Sequence, residues 1–179
     1  GMKPDLITIA KGLTSAYAPL SGSIVSEKMW KVLEQGTDEN GPIGHGWTYS
    51  AHPIGAAAGV ANLKLIDALK LIQNAGETGA YLNAAMKDAL GDHVHVGDIR
   101  GEGMLCAVEF VKAREGRIFF EASEKIGPQV AAALLAEGVI ARAMPQGDIL
   151  GFAPPFCLTH AEADEVVGKT AKAVKSVLG

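Results

Sequence analysis

Lys11 is the residue whose type and position offer the clearest chemistry in this sequence. It ends an apolar run over residues 5–10, and Gly12 follows it at once. The run predicts a mostly buried strand that breaks at the glycine. A primary amine held at a strand end is rigidly aimed, partly desolvated and open to a ligand, and these conditions favour a Schiff base. The alternative is a lysine that ends a strand in water.

A second motif, Gly-His-Gly-Trp-Thr-Tyr-Ser-Ala-His-Pro, occupies residues 44–53 and directly precedes a stretch of small residues. Thr48 lies near the start of the helix that this stretch predicts, where a hydroxyl adds a donor to a place that already favours anions. The alternative is that Thr48 caps the helix or fills a turn. Trp47 beside it is either an aromatic wall of a site or a core or interface residue.

A third candidate is Arg142, which opens the segment Arg-Ala-Met-Pro-Gln-Gly-Asp-Ile. The planar guanidinium suits bidentate recognition of a carboxylate, and the turn with Pro145 and Gly147 permits motion. A surface ion pair or a purely structural arginine is the alternative. Arg100, within Ile-Arg-Gly-Glu-Gly, is predicted to be structural.

The composition is typical of a packed globular protein, with 48% hydrophobic and 20% charged residues. The net charge of −4 and the mixed signs argue against a nucleic-acid-binding surface, which needs clustered Lys and Arg. No apolar stretch has the length of a membrane span and no cleavable signal stands at the start, so we expect a cytoplasmic protein that binds no membrane.

No metal site is expected. His93 and His95 alternate on one face of a predicted strand, which is compatible with a pair of ligands, but no carboxylate or cysteine cluster completes a site. Cys106 and Cys157 lack metal-type spacing and are predicted to be buried reduced thiols.

The hydrophobic pattern predicts two domains, 1–75 and 76–179. Residues 54–72 are apolar nearly all round, which predicts a buried helix connecting the domains. The second domain is predicted to alternate helices and strands. Its predicted elements are a helix through Leu82–Leu90, a pair of strands over 94–99 and 104–111 around residues 100–103, a helix from Ile126 stopped by Gly138, strands over 139–141 and 149–152, and a last helix with a capping box at Thr159 and Glu162. In the second strand of the pair, Met104, Cys106, Val108 and Phe110 are predicted to share one face.

Taken in order, residues 11–22 (Lys-Gly-Leu-Thr-Ser-Ala-Tyr-Ala-Pro-Leu-Ser-Gly), the motif at 44–53 and the segment from Arg142 to Pro155 resemble the class III pyridoxal-phosphate-dependent aminotransferases. The similarity is nearest to the omega-amino-acid (beta-alanine:pyruvate) transaminases. Members of that family are well over twice as long, so the resemblance implies a C-terminal portion. The implied α/β fold is the C-terminal part of a fold type I transferase, comprising a remnant of the mostly parallel sheet of the large domain and a small α+β domain.

The resemblance also implies roles for the candidate residues. Lys11 would bind pyridoxal phosphate as a Schiff base and act as the general base. Thr48 would contact the phosphate of the cofactor in the partner subunit of a homodimer, with Trp47 as an aromatic wall near the same site. Arg142 would bind a substrate carboxylate. The implied reaction is transamination from an omega-amino acid or amine donor to pyruvate or a similar 2-oxo acid.

Two other functions remain open from the sequence. The chain could be a non-catalytic, dimerising fragment, because the N-terminal half of the implied cofactor site is missing. A pyridoxal phosphate mutase or decarboxylase of the same fold is the other possibility, and donor and acceptor kinetics would separate it from a transaminase.

Overall fold

The computed structural model describes all 179 residues, Gly1–Gly179. They form two compact units, Gly1–Leu69 and Lys70–Gly179. The division falls at the left-handed residue Lys70 (φ 51°) between two helices, a few residues before the domain boundary expected at 75.

The first unit contains a two-stranded antiparallel sheet, a short 3-10 turn and two helices. Ser26 begins the first helix by accepting a hydrogen bond from the Met29 N–H at 3.3 Å, and Pro53 opens the second helix, as the sequence predicts. The elements are β1 (Leu6–Ile9), the 3-10 turn (Lys11–Leu13), β2 (Gly22–Val25), α1 (Glu27–Asn40) and α2 (Pro53–Ala68).

Two segments of this unit that the sequence predicts to be buried are exposed in this chain. Strand β1 is largely exposed, with Leu6 at 57% and Ile7 at 44% exposure, because β1 pairs only with β2 and no second layer covers them. The predicted buried helix over 54–72 ends at Ala68, and only Gly55 and Gly59 of α2 are buried. It stops there because the backbone turns left-handed at the next helix's N-cap.

The second unit is a four-stranded antiparallel sheet with three helices. The sheet order is β3-β4-β6-β5, and the predicted pairing of the two strands around Gly101 is confirmed. The elements are α3 (Leu71–Leu90), β3 (Val96–Glu102), β4 (Leu105–Phe110), α4 (Ile126–Ala136), β5 (Arg142–Ala143), β6 (Ile149–Phe152) and α5 (His160–Leu178).

The core of this unit lies between one face of the sheet and its helices. The predicted β4 face is confirmed, and its side chains are buried together with residues of α3, α4 and α5. The capping box predicted for α5 is also present, since Thr159 and Glu162 exchange side-chain and backbone bonds. The central buried residues are Leu82, Met86, Met104, Cys106, Val108, Phe110, Val130, Leu134, Leu150, Val167 and Val174.

Strand β5 lies later in the chain than predicted. The strand expected over 139–141 is absent, because the chain there is still completing the end of α4: the Val139 N–H donates to Leu134 O at 3.1 Å. Pairing with β6 begins only at Arg142, opposite Gly151. No helix of the protein has the length and apolar character needed to cross a membrane.

Candidate functional site

Lys11 lies just beyond the end of β1, as the sequence indicates, in a conformation that non-glycine residues rarely adopt. Its φ is +52°, in the left-handed region. The turn that follows is closed by long hydrogen bonds, from the Leu13 N–H to Ala10 O at 3.2 Å and from the Thr14 N–H to Lys11 O at 3.3 Å. Unfavourable backbone of this kind persists only where surrounding structure holds it.

The lysine side chain lines an open cleft of about 810 Å³. Thr8 and Ser23, which are paired across the two strands, line it together with Ser21, so three hydroxyl-bearing residues line the cleft. Trp47 also lines the cleft, so the structure brings two of the sequence candidates together.

His45 completes the aromatic wall of this cleft. Its ring meets that of Trp47 edge to face, with centroids 4.8 Å apart and an interplanar angle of 77°. From the sequence, His45 of the motif at 44–53 is expected only to order a loop, and Thr8, Ser21 and Ser23 are not singled out. The signal for the hydroxyls is the strand register, which sets the end of β1 against the start of β2.

Thr48 is not among the residues that line this cleft. It lies in the adjacent turn, closed by the Trp47 N–H on Ser50 Oγ at 3.1 Å and by the Ser50 N–H on Trp47 O at 2.9 Å. Helix α2 has His52 at its N-cap, without a side-chain bond. Thr48 is therefore not the helix cap, and it is exposed to solvent.

The chemistry of the cleft fits pyridoxal phosphate, the cofactor implied by the sequence resemblance. A primary amine matches its aldehyde, hydroxyls are donors for its phosphate and ring oxygen, and aromatic rings suit a heteroaromatic ring. No carboxylate lines the cleft to repel the phosphate. Lys11 and the hydroxyl-bearing side chains are the residues of this chain that would hold the group.

Arg142 belongs to the second unit and lies on the sheet face opposite the core. The register places Arg100, Ala107, Gly151 and Arg142 in one row across four strands. The outer two are therefore about 14 Å apart between Cα atoms, three strand spacings. A cleft lies over the two small central residues, Ala107 and Gly151, and is lined by both arginines.

The two arginines of this row differ in their partners. Arg100 donates to Asp98 at 2.7 Å and to Glu109 at 3.0 Å, and these bonds raise the pKa of its guanidinium. Arg142 is exposed and makes no ion pair within the chain, so the surface ion pair considered from the sequence is absent. The predicted structural role of Arg100 fits these bonds. The guanidinium of Arg142 has no ion-pair partner and can bind a carboxylate through two hydrogen bonds.

Glu109, on β4, links the hairpin of β3 and β4 through ion pairs. Its carboxylate, 7% exposed, accepts from Arg100 and, at 2.6 Å, from Arg117 Nη2. Burial alone would raise the pKa of Glu109, but the bonds from Arg117 and Arg100 outweigh it and hold that pKa below its ordinary value. The neighbouring Cys106 is a neutral thiol, because burial raises its pKa to about 11.

The two histidines proposed as alternating on a strand face do not do so. Strand β3 begins at Val96, and His93 and His95 lie in the turn before it. The backbone N–H of His95 donates to His93 Nδ1 at 3.2 Å, and His95 Nδ1 lies 3.1 Å from Val111 O. One nitrogen of each ring is therefore committed to a backbone group. The predicted thiol burial holds for Cys106 but is wrong for Cys157, which is exposed.

Comparison with known proteins gives one consistent family. The family model described as "Aminotransferase class-III" matches residues 1–174. The chain is 60% identical over 177 residues to a diaminobutyrate–2-oxoglutarate transaminase of Halomonas elongata, covering 99% of this chain and 38% of that protein. It is 37% identical over 168 residues to a putrescine–pyruvate aminotransferase of Pseudomonas aeruginosa, covering 93% of this chain and 35% of that protein.

Solved structures agree. An (S)-enantioselective omega-transaminase from Thermomicrobium roseum superposes with a TM-score of 0.89 at 36% identity, covering 99% of this chain and 38% of that one. A transaminase from the marine bacterium Virgibacillus superposes with a TM-score of 0.92 at 33% identity, covering 98% and 40%. The chain spans a little over a third of the length of these relatives.

Proposed function

Because the chain belongs to the class III aminotransferases, a pyridoxal-phosphate-dependent family, we propose that the protein transfers an amino group from an omega-amino acid or amine donor to pyruvate or a similar 2-oxo acid. The observation that carries this proposal is that Lys11 lines a cleft together with hydroxyl-bearing and aromatic residues and without any carboxylate residue. Relatives named for diaminobutyrate and putrescine support a donor with a terminal amine.

Lys11 is the proposed catalytic residue. Its amine would hold the cofactor covalently until the amino group of the donor displaces it, and the freed Nζ would then accept the proton that leaves the amino-bearing carbon of the donor. When bound, pyridoxal phosphate supplies an electron sink for the charge that develops as this proton leaves. An arginine at this position would not serve, because it stays protonated.

Arg142 is the proposed carboxylate-binding residue. Pyruvate and other 2-oxo acids carry a carboxylate, and a guanidinium without an internal partner binds such a group through two parallel hydrogen bonds. Arg100, at the other end of the same row, is less suited, because Asp98 and Glu109 already neutralise it.

The test is a transfer assay on the complete protein loaded with pyridoxal phosphate. Diaminobutyrate, putrescine and beta-alanine are offered as donors, each with pyruvate or 2-oxoglutarate, and formation of the new amino acid is followed. We expect transfer for at least one pair, its loss in Lys11→Ala, and its retention in the exposed control Lys28→Ala. Consumption of donor without any need for the 2-oxo acid would contradict transfer and indicate a mutase or decarboxylase.

Thr48 is proposed to bind the cofactor phosphate of the partner subunit in a homodimer, which its exposed hydroxyl outside the Lys11 cleft supports. Mixing two inactive variants tests this. A dimer of one Lys11→Ala and one Thr48→Ala subunit retains one intact site if Thr48 acts across the interface, so mixing restores activity. If Thr48 acts within its own subunit, the mixed dimer has no intact site and stays inactive.

A further inference from the structure

We propose that Asn62 is a positioning residue, which holds the backbone after Lys11 so that the lysine amine faces the cleft. This inference deepens the proposed function, and the catalytic effect expected of Asn62 rests on that function. Asn62 does not line the cleft, so any effect on chemistry has to pass through the lysine.

The contacts of Asn62 all lie in the turn that follows the lysine. Its Nδ2 donates to Gly12 O at 2.8 Å and to Leu13 O at 3.2 Å. Its Oδ1 accepts from the Ser15 hydroxyl at 2.7 Å. Both amide hydrogens and one oxygen lone pair are thus engaged with a segment about fifty residues earlier in the sequence.

This turn needs support from outside itself. Lys11, Ser15 and Ala16 all have positive φ, at 52°, 50° and 63°, a region unfavourable for residues with a Cβ. The backbone hydrogen bonds within residues 10–15 are long, up to 3.4 Å for the Ser15 N–H on Gly12 O. One short side-chain bond, from Thr14 Oγ1 to Ala18 O at 2.6 Å, also lies inside the segment. Two bonds from Asn62 to backbone carbonyls and one from the Ser15 hydroxyl to Asn62 therefore restrain this backbone from outside the turn.

Helix α2 is shaped to bring Asn62 to the turn. Gly55, Gly59 and Asn62 stand at i, i+4 and i+7, on one face of the helix. A Cβ on Gly55 would lie 3.0 Å from Pro19 O, and one on Gly59 would lie 2.9 Å from Leu20 Cδ2. The two glycines let the helix approach residues 12–20 closely. On the same face Asn62 hydrogen-bonds to that segment, and we call this set of three hydrogen bonds the clamp.

The chain contains a matched control for this clamp. In the second unit, Asn74 Nδ2 donates to Phe156 O at 2.6 Å and to Leu158 O at 3.0 Å, and its Oδ1 accepts from Thr78. Asn62→Asp and Asn74→Asp therefore make the same change, which removes two amide donors, adds a negative charge and keeps the acceptor. Of these two, only Asn62→Asp touches the segment next to the lysine, and Ser15→Ala provides a variant without the added charge.

The experiment measures the lysine and its turn in the complete protein without cofactor. Competitive acetylation followed by mass spectrometry gives the reactivity of the Lys11 amine relative to Lys28, and hydrogen exchange reports the amides of residues 13–15. In Asn62→Asp we expect exchange of these amides to rise by about tenfold or more, as for loss of one to two hydrogen bonds. The Lys11 labelling ratio should change at least about twofold, with Asn74→Asp unchanged in both readouts.

A kinetic readout connects the turn to catalysis. In the loaded enzyme Asn62→Asp should lower kcat by about tenfold while the KM for the 2-oxo acid stays within about twofold, as for a misplaced catalytic group. Ser15→Ala, which removes only the third bond, should move the same readouts in the same direction by less. It also serves as the test variant if Asn62→Asp does not fold.

The proposal is overturned if folded Asn62→Asp leaves exchange at 13–15 and the Lys11 labelling ratio unchanged, or if Asn74→Asp changes them equally. An unchanged kcat alongside altered labelling overturns it as well. Failure of the proposed function is a separate result, seen as full activity in Lys11→Ala, and the measurements without cofactor decide whether Asn62 holds the lysine in either case.

Discussion

In the second unit three helices cover one face of a four-stranded sheet, whereas in the first unit a two-stranded sheet is exposed and hydrogen bonds restrain the segment after Lys11. Side-chain packing therefore dominates in the second unit, where Asn74 also hydrogen-bonds to the backbone. In the first unit, residues with positive φ lie where Asn62 hydrogen-bonds to the chain and where two glycines of α2 approach it closely.

The difference separates two ways of placing a functional group. Arg142 lies on a short edge strand of a packed sheet, at the other end of the row from Arg100, which internal carboxylates fix. Lys11 lies on a strained turn, as functional residues often do. We therefore expect substitutions in the second unit to act mainly on stability or on one substrate, and substitutions around Lys11 to act on the chemistry.

The largest stability effect is expected at Gly79 on α3. A Cβ there would lie 2.1 Å from Gly103 O, so Gly79→Ala forces helix and hairpin apart and should lower the free energy of unfolding by about 3 kcal/mol. Gly76→Ala on the same helix meets nothing within 4 Å and should raise it by up to about 1 kcal/mol. Urea denaturation compares the two variants, and equal effects would contradict the packing described.

Arg142→Gln tests the division of roles between the units. Loss of a charge-assisted pair should raise the KM for the 2-oxo acid about 10- to 100-fold, equivalent to roughly 1.4–2.8 kcal/mol. Cofactor attachment and the KM for putrescine, which has no carboxylate, should not change. Steady-state kinetics with each substrate varied in turn provides the measurement, and an equal loss for both substrates would contradict a carboxylate-binding role.

Glu109 gives a smaller effect with a defined pH dependence. Its pKa in the folded protein lies below the ordinary 4.5, so its stabilisation is fully present above pH 4.5 and is lost as the pH falls through the folded pKa. Glu109→Gln should cost about 1–2 kcal/mol at neutral pH, with the difference from wild type shrinking in acid. Denaturation across pH measures it. As a control, Glu165→Gln, which removes an exposed ion pair, should change stability by less than about 0.5 kcal/mol. A stability difference between Glu109→Gln and wild type that does not vary with pH would contradict the stabilising role of the ionised Glu109.

The second unit could be predicted well because its signals are local. The alternating face of β4 and the capping box of α5 follow from residues a few positions apart, and both are confirmed. Strand β5 was misplaced, because the apolar residues at 139–141 resemble a strand while the chain there is closing α4.

The first unit could be predicted only in part. Lys11 was located at a strand end from its neighbours alone, but the role of Asn62 depends on contacts about fifty residues away. The exposure of β1 and α2 could not be predicted from their apolar composition. An apolar sequence indicates that a surface is favourable to bury, but it does not indicate which element packs against that surface.

The most direct test of the account is to identify the lysine that binds the cofactor. The complete protein is loaded with pyridoxal phosphate and reduced with borohydride, and the modified peptide is sequenced by mass spectrometry. We expect one stoichiometric modification, on Lys11, absent in Lys11→Ala and unchanged in Lys28→Ala. Stoichiometric modification of another lysine, or undiminished modification in Lys11→Ala, would contradict the assignment of Lys11 as the catalytic residue.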